Sequence, residues 1–83
     1  MSSERHAGLR RPLNPMPEWV KAALESQSLM AAFEGRPPYQ RNEYLGWVSR
    51  AKRPETREKR LLQMLEELRT GDRYIKMPYR AKR

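Results

Sequence analysis

Pro38-Tyr39-Gln40-Arg41-Asn42-Glu43-Tyr44-Leu45-Gly46-Trp47-Val48-Ser49-Arg50-Ala51, followed at once by Lys52-Arg53-Pro54-Glu55, is the stretch that decides the fold. Within it Tyr44, Trp47, Val48 and Ala51 recur at i, i+3, i+4 and i+7 with Leu45 adjacent, the spacing that puts apolar side chains on one stripe of a helix. No other segment has so clear a period. Arg36-Pro37-Pro38 before it forces an extended corner, because a residue preceding proline avoids the helical region. Lys52-Arg53 is too short to be more than a corner. Pro54, with Glu55 behind it, then restarts a helix, since a proline in the first turn gives up no hydrogen bond and an acid there meets the positive end of the helix dipole.

Outward from this pair, the second helix is predicted to run to about Thr70, with Leu61, Met64, Leu65 and Leu68 inward and Gly71 closing it. Toward the N-terminus, Pro17 is predicted to open a helix reaching about Glu25, with Val20, Ala23 and Leu24 on the buried stripe and Trp19 beside it. Ser26 is the expected N-cap of a short helix over 27–34, in which Leu29, Met30 and Phe33 face the core and Gly35 ends the run. The fold class expected is all-α, a small compact bundle of about four short helices with flexible basic ends. Residues 1–16, with Gly8, Pro12 and Pro15, read as a flexible leader. Residues 72–83, where Tyr74, Ile75, Met77 and Tyr79 alternate with basic residues and Pro78 without a clear period, read as an extended or flexible tail with scope for a short docking contact.

A chain of 83 residues with no cysteine makes one domain that ordinary helix packing alone must hold. Nothing resembles a signal sequence, and no run approaches the roughly 18 apolar residues of a membrane span, so a cytoplasmic protein is expected. The formal net charge of +8 points to acidic partners. Much of it sits at the two ends, where its ordinary role is solubility. Inside the body it concentrates at Arg50, Lys52, Arg53, Arg57, Lys59 and Arg60, against only Glu55 and Glu58, while 17–49 and 61–71 are each slightly acidic. As structure, this segment would be a salt-bridged corner, with Glu55 and Lys59 paired at i, i+4 and Arg57 within reach of Glu43. As function, it would be an anionic contact site built from Arg50, Lys52, Arg53, Arg57 and Arg60. The two readings weigh equally on sequence grounds.

Catalytic candidates are few. His6 is the sole histidine and lies in the leader, and no metal-ligand spacing or glycine-rich phosphate loop occurs. The acids of the body, Glu67 among them, sit beside basic residues and read as solvated helix faces. Tyr44 and Trp47 read as core rather than as a stacking platform, and Tyr39 is left open as a contact residue. The expectation is a non-enzymatic binding module without cofactor or metal, most simply a monomer, that meets an acidic protein surface. The alternative is weak, sequence-independent nucleic-acid binding through the corner and the tails. Glu55 and Glu58 would oppose phosphates where a helix-turn-helix offers its recognition residues.

The join of Arg41-x-Glu43-Tyr44-x-x-Trp47 to Ala51-Lys52-Arg53-Pro54-Glu55-Thr56-Arg57, preceded by Ala32-Phe33, resembles the signature of the bacteriocin-protection, YdeI/OmpD-associated family over about residues 17–71. Asn42 stands where that pattern has a basic residue, and Tyr39-Gln40 where it has a small residue followed by histidine. The resemblance implies a helical domain associated with bacteriocin or antimicrobial-peptide protection, with no catalytic residue to carry over. In longer relatives the unit looks like the C-terminal part of a two-part protein, which implies a separate partner for a free-standing copy.

Overall fold

The structure, a computed structural model, describes residues 13–78. The leader up to residue 12, including His6, and the tail from residue 79 lie outside the described residues. Four helices follow in order: α1 over Glu18–Ser26, α2 over Met30–Glu34, α3 over Pro38–Ser49 and α4 over Pro54–Thr70. The all-α reading holds, with one small addition. Beyond α4 the chain turns back as an antiparallel hairpin, β1 over Arg73–Tyr74 and β2 over Met77–Pro78, in which Arg73 faces Pro78 and Tyr74 faces Met77.

The prolines act largely as expected. Pro17, Pro37 and Arg53 are the extended residues from which α1, α3 and α4 start, and Pro38 and Pro54 occupy the first turns of the last two. Gly71 ends α4 in the left-handed region at φ 82°, a conformation that costs other residues more. The junction of α1 and α2 differs from the expectation. Ser26 is the last residue of α1, its hydroxyl donating back to the Ala23 carbonyl at 3.2 Å, and α2 starts after Leu29 without a side-chain cap. The left-handed residue that turns the chain there is Ser28, at φ 59°, and Gly35 keeps a right-handed conformation.

One core joins all four helices: Val20 and Leu24 from α1, Leu29 and Phe33 around α2, Tyr44, Leu45 and Val48 from α3, and Leu61, Met64, Leu65 and Leu68 from α4. Tyr74 and Ile75 of the hairpin and Met16 ahead of α1 pack against it. The packed unit thus takes in Met16 before α1 and the hairpin after α4. Trp47 also departs from its expected place, being half-buried at the edge of the core rather than within it.

Helix α3 is covered on more than its apolar stripe, since Gln40, Asn42 and Gly46 are buried as well. Asn14 explains two of these. Its backbone N–H donates to the Asn42 side-chain oxygen at 2.7 Å, and its amide donates to the Asn42 carbonyl at 3.0 Å. A Cβ on Gly46 would meet the Asn14 amide nitrogen at 2.7 Å. The bare glycine thus lets the incoming segment lie against the helix.

Candidate functional site

The α3–α4 corner brings the predicted cations together but divides them into two groups. Arg50, the C-cap of α3, and Lys52 and Arg53 of the connection are exposed. Their side chains form no ion pair with the described residues, and the Arg50 guanidinium lies across the bare face of Gly46. Arg57 and Arg60 are turned inward. Arg57 donates to the Ala51 carbonyl at 3.4 Å and sits 5.7 Å over the Trp19 ring, tying α1 to the corner. Arg60 donates to the Trp47 carbonyl at 2.7 Å and stacks 5.4 Å over that residue's indole, tying α4 to α3.

This division has a structural cause. Carbonyls at a helix end lack partners from the following turn, and two arginines from the first turns of α4 reach back to two such acceptors, Trp47 in the last turn of α3 and Ala51 just beyond it. Pro54 fixes where those turns begin. The expected Glu55–Lys59 pair does not form among the described residues, where the ion pair made is Glu66 with Arg69 near the far end of α4. With Arg57 and Arg60 committed to bracing, the members of the predicted five that stay exposed are Arg50, Lys52 and Arg53.

A second polar constellation lies inside the molecule, and there the reading of Glu67 as a solvated acid is corrected. Glu67 is buried. One carboxylate oxygen accepts from the Tyr44 hydroxyl at 2.6 Å and the Ile75 N–H at 2.7 Å, the other from the Lys76 N–H at 2.8 Å and the Gln63 amide at 3.0 Å. Arg36, also buried, donates to the Glu67 carbonyl and to Gln40, each at 3.0 Å, and lies 5.8 Å from the centre of the Tyr44 ring.

Burial by itself would raise the Glu67 carboxyl. The Tyr44 hydroxyl, the Lys76 N–H, the Gln63 amide and the Ile75 N–H outweigh it and hold the group below the ordinary carboxylate range. Burial, followed by the hydrogen bond to Glu67 and its negative charge, pushes the Tyr44 phenol far above its usual value, with Arg36 opposing. At neutral pH the carboxylate is charged and the phenol neutral, each in the form the other needs. No described buried side-chain polar atom lacks a partner, so the cluster is satisfied within the fold and acts as a structural lock.

The lock also explains the hairpin. Ile75 and Lys76, the two turn residues, both have positive φ, 46° and 70°, in a two-residue turn that usually calls for Asn-Gly. The Glu67 carboxylate clasps their two successive N–H groups and so stabilises a turn their side chains disfavour. Between the hairpin and α4 lies an open cleft of about 410 Å³, and none of the corner cations lines it.

Fold and surface together define a small helical domain with a locked interior and a braced basic corner. The sequence profile described as bacteriocin-protection, YdeI or OmpD-associated matches residues 15–71, well over half the chain, and the protein belongs to that family. The hairpin that Glu67 holds lies beyond the matched segment. No curated protein and no solved structure matches the chain.

Proposed function

We propose that the protein is a non-enzymatic interaction module that meets an acidic protein surface through Arg50, Lys52 and Arg53. The observation that carries this reading is the division of labour at the corner: two arginines brace it while three exposed cations make no ion pair with the described residues. Such cations have no side-chain bond to another described residue to give up on binding, and Pro54 and the bracing arginines hold their backbone, which lowers the ordering cost of association. The family description, bacteriocin protection, supports a role in bacterial stress or antimicrobial-peptide resistance; the cytoplasm as its place and a separate acidic partner are part of the proposal.

Titrating the protein with a glutamate-rich peptide and with random-sequence duplex DNA, at about 50 and about 200 mM salt, tests the reading. The peptide is expected to bind at both salt concentrations and the DNA only weakly at the lower one. Tighter binding of the DNA at both would overturn the proposal and favour a nucleic-acid partner.

A further inference from the structure

We infer that Trp19 is the apolar anchor of the same face, and that the occupant is an acidic polypeptide segment with a large apolar side chain among its carboxylates. This rests on the reading of the corner given above and goes beyond it by naming a residue that the charge pattern does not reveal. In α1, Val20 and Leu24 are wholly buried, whereas Trp19 keeps 39% of its surface exposed. The Arg57 guanidinium that lies over this indole also bonds the Ala51 carbonyl, the residue next to Lys52 and Arg53. Arg57 thus joins the ring to the connection that carries Lys52 and Arg53. Leu13, Tyr39, Leu62 and Met77 are exposed as well; Trp19 is set apart by the arginine that joins it to the corner.

An indole held in place on the same corner as exposed cations is the arrangement that binding hot spots favour: a rigid aromatic anchor that excludes water, with charged groups around it. Carboxylates of the occupant would meet Arg50, Lys52 and Arg53, and its apolar side chain would cover the open part of the Trp19 ring. The acids nearby choose between partners. Glu18 precedes Trp19 on α1, and Glu55 and Glu58 stand on the first turns of α4, all three exposed. A continuous phosphate track would run into them, whereas a peptide can space its carboxylates around them.

The test uses the full chain and three synthetic peptides of equal length: acidic with a central phenylalanine, acidic with serine in its place, and neutral with the phenylalanine. The phenylalanine-bearing acidic peptide is expected to bind roughly tenfold more tightly than the serine one, and the neutral peptide least. Trp19→Gln should erase the difference between the two acidic peptides, a ratio that any loosening of the corner common to both leaves unaltered. Lys52→Ala with Arg53→Ala should weaken both acidic peptides. In a Trp47→Phe background, where Trp19 is the only indole, the phenylalanine peptide should shift the emission to the blue and protect it from quenching; this readout leaves Trp19 in place. Equal affinity for the two acidic peptides, or an emission that the phenylalanine peptide does not move, overturns the role of Trp19 and leaves the corner standing. Failure of both acidic peptides to bind overturns the corner and this inference together.

Discussion

Glu67 shows how much one side chain can carry when its carboxylate accepts from four donors in a buried place. Removing it in Glu67→Ala leaves the Tyr44 hydroxyl and two backbone N–H groups without their acceptor. The expected loss is about 3 kcal/mol, read from urea denaturation. Tyr44→Phe keeps the ring in the core and removes a single donor, so about 1 kcal/mol is expected. The folded carboxyl lies below its unfolded value, so the stability it contributes is complete above the unfolded glutamate range, near about 4.3. That contribution is lost as pH falls through the folded value. Glu67→Gln should flatten this acid-side decline, and a variant that keeps the full decline would assign it to other carboxylates.

At the same scale the sequence hides this residue for a definable reason. Glu67 adjoins the stripe of Met64, Leu65 and Leu68, and an acid there looks like the polar edge of an amphipathic helix unless its distant donors are known. Two of those donors are backbone groups of a hairpin with no turn signature, and a third is a tyrosine 23 positions away in the chain. Trp47 was misread for a related reason. Its spacing matches the stripe, yet Arg60 takes one side of its ring, leaving it half-buried. Trp47→Ala should therefore cost about 2 kcal/mol, less than the roughly 3–5 kcal/mol of a fully buried aromatic.

Among the elements, α3 and α4 were legible because their apolar residues follow the helical period and their starts are fixed by prolines. The α1–α2 junction was less so. Ser26 can end a helix as readily as begin one, and Ser28 takes a left-handed conformation that its type does not announce. The hairpin was not legible at all as a hairpin, since Ile75–Lys76 lacks the residues a tight turn prefers and is held from outside by Glu67. Deleting residues 72–83 should accordingly lower the melting temperature, because it strips two donors from Glu67 and uncovers the core beside Tyr44, which packs edge-on against Tyr74 at 5.3 Å. An unchanged melting temperature in that truncation would show that the hairpin adds nothing to the folded unit.

For the molecule as a whole, the basic segment was visible as a charge count, but the count could not separate cations that hold the corner from cations that face outward. That separation depends on a carbonyl in the last turn of α3, another in the connection after it, and two indoles from different helices, which only the folded chain brings within reach of Arg57 and Arg60. The most direct measurement compares two variants for melting temperature and for affinity to the glutamate-rich peptide. The triple change Arg50→Ala, Lys52→Ala and Arg53→Ala should melt at or slightly above the parent temperature, since it relieves repulsion among like charges, and should lose most of the binding. Arg57→Ala with Arg60→Ala should lower the melting temperature instead. Undiminished affinity in a stably folded triple variant would contradict the account.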